Sequence, residues 1–186
     1  LEGINEVLSE LECEASDVTL KEIFTEYSKS ELAEIAKIHH LSGYSKYKKA
    51  ELVEFLIKEL LSKAVMCRYF RFLNEDEIEF LESEDTIRKV RFEDMRYAGL
   101  LEGGYVGVYA DWEDSMFCLP KEVKEAYWEN CTEDWKKERQ DVETFLMYFN
   151  VAAELYGICP VEKAVELYKR DTGLEKDEFS TMAFLK

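Results

Sequence analysis

Histidine, proline and glycine are all scarce in this sequence. Its 186 residues include two histidines, two prolines and eight glycines. So few breakers leave little to interrupt a helix or force a turn, which suits helices joined by short loops. No apolar run approaches the roughly eighteen residues of a membrane span, so no membrane partner is expected. Leu1-Glu2-Gly3-Ile4 is not the basic-then-apolar start of a leader peptide. It lacks a Met, and Phe184-Leu185-Lys186 still reads as helix, so the chain reads as a fragment of something longer.

Cysteine is present but unpatterned. Cys13, Cys67, Cys118, Cys131 and Cys159 include no Cys-x-x-Cys pair, the spacing of many zinc and redox sites. Thiols in a reducing cytoplasm are the expected state. Only His39 and His40 could add imidazole ligands for a metal. Neighbours on a helix diverge by about 100°, so the two cannot easily grip one ion; an exposed or half-buried pair is expected. Catalytic signatures are missing as well. There is no Gly-x-x-x-x-Gly-Lys loop, no Gly-x-Ser-x-Gly elbow and no His-Glu-x-x-His helix. Asp171-Thr172-Gly173 begins no calcium loop, because the later ligand positions do not match. The expectation is a non-enzymatic protein with no catalytic residues, no metal and no cofactor.

Hydrophobic residues make up 47% of the chain and aromatics 13%, enough to build cores rather than a disordered chain. The formal charge of −17 argues against a protein that coats nucleic acid over its whole surface. That charge is uneven. Residues 1–17 hold six acids and no base, and residues 64–186 hold sixteen bases against twenty-eight acids. Residues 18–63 hold eight lysines against seven glutamates. The one stretch released from the acidic bias is a candidate for touching something acidic.

The apolar spacing predicts a mainly α fold in successive pieces. Residues 1–17 are an acidic helix or tail, with Ile4, Val7, Leu8 and Leu11 on one face. Thr19 with Glu22 and Ser28 with Glu31 are capping boxes, each starting a helix. The second of these helices carries Leu32, Ile35 and Ala36, and Leu41-Ser42-Gly43 is expected to end it, with Gly43 taking positive φ. Ser45 is expected to cap a third helix bearing Leu52, Phe55, Leu56 and Leu60, completing a three-helix unit over 18–63. A mixed unit over 64–135 holds another capping box, Asn74 with Glu77, then a basic stretch. Strands at Tyr105–Ala110 and Ser115–Leu119 then form one hairpin around an acidic turn, and Pro120 opens a helix. Thr132–Gln140 reads either as an exposed helix or as a linker. A C-terminal helical unit over 136–186 has Val142, Phe145, Phe149, Ala152 and Tyr156 in one stripe. Pro160 starts a second helix, and Phe179, Met182 and Leu185 mark a last one.

The segment Ser30-Glu31-Leu32-Ala33-Glu34-Ile35-Ala36-Lys37, followed by Leu41-Ser42-Gly43-Tyr44-Ser45-Lys46-Tyr47-Lys48-Lys49-Ala50-Glu51-Leu52-Val53, carries a familiar pattern. It resembles the N-terminal helical module of the transcription terminator Rho and, more distantly, the SAP DNA-binding module, over residues of about 19–62. The resemblance implies a small helical attachment that touches DNA or RNA. The chain departs from the pattern at Lys37-Ile38-His39-His40-Leu41, where relatives usually turn on glutamate-leucine-glycine. No ATPase region or RNA-binding barrel accompanies the module, so Rho-like termination is not implied.

Elementary electrostatics points the same way. Lys46, Lys48 and Lys49 fall at an expected helix start, where the macrodipole disfavours each cation by about 0.3–1 kcal/mol. The free amides of such a start suit a phosphate, and Tyr44 and Tyr47 are available to stack on a base. The competing reading is a solvated helix start with two tyrosines in the core. A second basic patch, Arg88, Lys89, Arg91 and Arg96, follows a helix and precedes the hairpin, the order of a winged helix whose basic helix enters the major groove. Glu93, Asp94 and the acidic turn Asp111-Trp112-Glu113-Asp114 oppose that, and pairing with nearby acids is its simpler use. The expectation is therefore a cytoplasmic, non-catalytic nucleic-acid-binding accessory or regulatory protein, contacting DNA or RNA through residues 44–49. The alternative is an acidic protein-interaction adaptor that binds a basic partner and no nucleic acid.

Overall fold

The computed structural model describes residues 18–91, 95–110, 114–157 and 160–173. The acidic segment 1–17, the last expected helix, Cys13 and Cys159 lie outside the described residues. The chain divides into two compact units, Leu1–Glu133 and Asp134–Lys186. Among the described residues the fold is mainly helical, with nine α-helices and one small sheet.

The first unit starts with α1 (Leu20–Glu26) and α2 (Lys29–Ile38). Both expected capping boxes form: Glu22 accepts from the Thr19 amide at 2.8 Å and Glu31 from the Ser28 amide at 2.7 Å. The end of α2 differs from expectation. His40, at φ 52°, takes the left-handed position, not a glycine. Its amide donates to Lys37 O and the Leu41 amide to Ala36 O, both at 2.9 Å. This pair of bonds is a Schellman cap, which satisfies carbonyls the helix leaves orphaned. Gly43, at φ 75°, instead opens a 3-10 turn over Tyr44–Lys46. Helix α3 (Lys49–Leu60) follows with Lys48 as its N-cap, so Ser45 does not cap it.

Helices α4 (Lys63–Phe70) and α5 (Glu75–Glu82) come next, and α5 has the expected Asn74–Glu77 box. The basic stretch then forms a strand rather than a helix: β1 (Ile87–Arg91). A short α6 (Ala98–Glu102) leads into β2 (Gly107–Ala110) and β3 (Asp114–Cys118), the expected hairpin. β1 adds to β3 on its other side, giving the antiparallel order β1-β3-β2. Helix α7 (Lys121–Asn130) begins behind Pro120.

One core runs through residues 18–133. Phe24, Leu32, Leu52, Leu56, Phe70, Phe80, Tyr105 and Tyr127 are all fully buried. Tyr105 stands edge-on to Phe70 at 4.6 Å, and its hydroxyl donates to Leu60 O at 3.2 Å. The Leu20 amide donates to Glu122 Oε1 at 2.8 Å, tying the first helix to α7. His39, expected to be at least half exposed, is 1% exposed. It lies between Tyr69 and Tyr105 with ring centroids at 4.5 and 5.5 Å. Its Nε2 lies 2.8 Å from Gly103 O. A carbonyl only accepts, so Nε2 carries the proton and Nδ1 is the bare nitrogen. The Gly103-Gly104 corner that offers this carbonyl turns at φ 75° on Gly104, where a Cβ would meet Ile35 Cδ1 at 3.0 Å.

The second unit contains α8 (Glu133–Tyr156), which starts at the boundary, and α9 (Val161–Thr172). Thr132–Gln140 thus resolves mostly into the first turns of a long helix. Phe145 and Tyr148 meet Tyr168 edge-on at 5.7 and 5.6 Å. Of the expected stripe, Phe145 is buried and Val142 half-buried; the side chains of Phe149, Ala152 and Tyr156 lie outside the description. Among the described residues no helix is long and apolar enough to cross a membrane.

Candidate nucleic-acid interface

The segment Tyr44–Lys49 lies between the end of α2 and the start of α3. Gly43 reverses the chain, the 3-10 turn carries Tyr44 and Lys46, and Tyr47 and Lys48 lead extended into the helix. Lys46, Lys48 and Lys49 are exposed, and Tyr44 and Tyr47 are half-buried. The turn brings all five together, but not in equivalent roles.

Lys49 is committed within the fold. Its ammonium donates to Thr25 O at 2.6 Å, in the last turn of α1. That turn has no base of its own, so a lysine from α3 supplies the cation the helix end favours. Lys49 also acts on Glu31, whose carboxyl is held below the usual range chiefly by hydrogen bonds from Ser28. Lys21 and Lys29 both lie nearer to Thr25 in sequence than Lys49 does, so nothing in the sequence singles out Lys49 for this contact.

Lys46 and Lys48 are different. Neither has an acidic partner among the described residues; Lys46 lies over the Tyr47 ring at 5.0 Å. Tyr47 packs on Phe55 with centroids at 5.1 Å, so one of its faces serves the fold. At the helix start itself, Glu51 Oε2 accepts from the Lys48 amide at 2.9 Å. A lysine side chain cannot accept, so only this half of a capping box exists, and the acidic half occupies one amide that a phosphate would want. The neighbouring lysines Lys21 and Lys37 are taken by Glu54 and Glu34, at 2.7 and 2.6 Å.

The second patch is spread over different elements. Arg88 and Lys89 are on β1, Arg91 ends that strand in register with Asp114, and Arg96 sits in a 3-10 turn over Met95–Tyr97. Arg88 bonds Glu79 at 3.2 Å, approaches Asp85 at 3.7 Å and lies over Phe80. Arg96 reaches Asp76 at 4.0 Å. The helix just before the hairpin, α6, reads Ala-Gly-Leu-Leu-Glu and contains no base. A basic groove-entering helix is therefore not formed at the place where the winged-helix reading needed one.

Glu77 caps α5 and does more. It is buried, and besides its capping bond at 2.9 Å it accepts from the Leu100 amide at 2.8 Å. Burial pushes its carboxyl up, against the backbone bonds that lower it. Among the described residues no group of three or more histidine, cysteine or acidic side chains is arranged to hold a metal ion. No known family, curated protein or solved structure matches this chain.

Proposed function

We propose that this protein is a non-catalytic accessory or regulatory factor that contacts nucleic acid through the turn before α3. Lys46 and Lys48 carry the reading, because they are exposed, two positions apart in the chain and without acidic partners among the described residues. They stand in residues 18–63, where eight lysines outnumber seven glutamates. Tyr44, in the same turn, is half-buried and so keeps part of its ring exposed. Lys49 is a structural lysine in this reading, and Arg88 and Arg96 are engaged by acids. Two phosphate contacts make for weak, salt-sensitive binding, with a log-log salt slope of roughly −1.4 to −1.8.

The test is fluorescence anisotropy with short single-stranded RNA, single-stranded DNA and duplex DNA, at about 50 and about 200 mM salt. Binding should fall with salt and be lost in Lys46→Glu/Lys48→Glu, with helical circular dichroism unchanged. Lys49→Glu should instead lower the melting temperature. Unchanged affinity in the double variant sinks the proposal. No binding at low salt favours the second reading, an acidic adaptor for a basic protein. Its support is the charge of −17.

A further inference from the structure

Cys67 lies in α4 and Cys131 caps the end of α7. The two thiols are 64 positions apart in sequence, yet their Sγ atoms are 3.8 Å apart in the core. Cys67 is 8% and Cys131 2% exposed. Each is held from a regular element. The Cys131 amide donates to Tyr127 O at 2.8 Å, and the adjoining Asn130 amide group donates to Leu61 O at 3.0 Å. Cys67 Sγ is also 3.4 Å from Asn130 O. Cys131 leaves the helix at φ −92°, ψ 77°, so its side chain sits on a non-helical backbone between α7 and the second unit.

We propose that Cys67 and Cys131 are a modification site: a dithiol that a low-molecular-weight disulfide converts to an internal disulfide without unfolding the chain. Bonding needs the sulfurs to close from 3.8 Å to about 2.05 Å, a movement that side-chain rotation and a small helix shift supply. Cys67, the more accessible, loses its proton and its thiolate attacks one sulfur of the incoming disulfide. That S–S bond breaks and one small thiol leaves after taking up a proton. The Cys131 thiolate then attacks Cys67 Sγ in the mixed disulfide, forming the internal bond and releasing the second small thiol. The protein loses two hydrogens and two electrons, and the small disulfide gains them. The bond ties α4 to the end of α7 across a long loop, which restrains the unfolded chain more than the folded one.

The test uses the full chain, folded, in a glutathione redox buffer, followed by alkylation and non-reducing tryptic mapping. The expected product joins Ala64–Arg68 to Glu125–Lys136, with a mass about 2 Da below the sum of the two thiol peptides. The melting temperature should rise on oxidation and return on reduction. Cys131→Ser should stop at a glutathione adduct on Cys67. Alkylation of both thiols after oxidation, or pairing of Cys67 with any other cysteine, overturns the proposal. The wild-type map decides the matter alone if the variant fails to fold.

Discussion

A single imidazole gives this fold a response to acid. His39 is buried, and burial lowers its pKa from 6.5 to about 4, against the opposing bond to Gly103. The unfolded imidazole takes its proton near 6.5, while the folded one resists until about 4. Across that window the unfolded state binds more protons, so stability falls as pH drops from 6.5 toward 4. The full effect is on the order of 3 kcal/mol. His39→Gln keeps a donor for Gly103 O and removes the titration. Urea midpoints should fall less between pH 6.5 and 4.5 in this variant than in the parent, whatever its stability at neutral pH. Equal slopes would show that His39 does not titrate as its burial requires. The buried hydroxyl of Tyr105 makes a separate point at this scale: Tyr105→Phe orphans Leu60 O and should cost about 1–2 kcal/mol in denaturant melts.

At the scale of elements, the cap of α2 holds an avoidable strain. His40 occupies the left-handed position of a Schellman motif, where an L side chain costs roughly 1 kcal/mol and glycine almost nothing. Glycine also loses more entropy on folding, so the net gain expected for His40→Gly is about 0.5 kcal/mol. A small rise in melting temperature with unchanged circular dichroism would confirm it; a fall would mean the imidazole contributes something the cap geometry does not account for. The helix starts were legible because their chemistry is local. Thr19, Ser28 and Asn74 each find the glutamate three residues on. The start of α3 was misplaced, since Gly43-Tyr44-Ser45 offered a plausible cap and Lys48 is a residue no capping rule selects. β1 was missed for a related reason. Ile-Arg-Lys-Val-Arg alternates too weakly to announce a strand, and it is one because β3 presents a free edge to it.

At the scale of the whole molecule, the helical module over 18–63 and the mixed unit that follows share one core in the first compact unit. Glu122 holds the Leu20 amide, Gly103 holds His39, and Tyr105 reaches Leu60. A fragment of residues 18–63 loses all three contacts and is small enough that its own core is marginal. It should therefore be largely unfolded by circular dichroism at 25 °C, whereas residues 18–133 should unfold in one cooperative transition. A stable, cooperatively melting 18–63 fragment would show that the module is autonomous and its packing on the rest incidental.

The sequence by itself determined the fold class, the capping boxes, the hairpin and the single lysine-rich turn. Each of these is set within a few residues, by side chains meeting their own backbone or by the period of apolar positions. Tertiary structure decided which lysines remain available. Lys49 is drawn to Thr25 O, while Lys46 and Lys48 stay exposed beside it, and nothing in their adjacency distinguishes them. It also decided that Cys67 meets Cys131, that Glu77 holds the Leu100 amide, and that His39 is buried while His40 is not. Those outcomes depend on partners tens of residues away, brought near only once the apolar faces of separate helices have closed on one another.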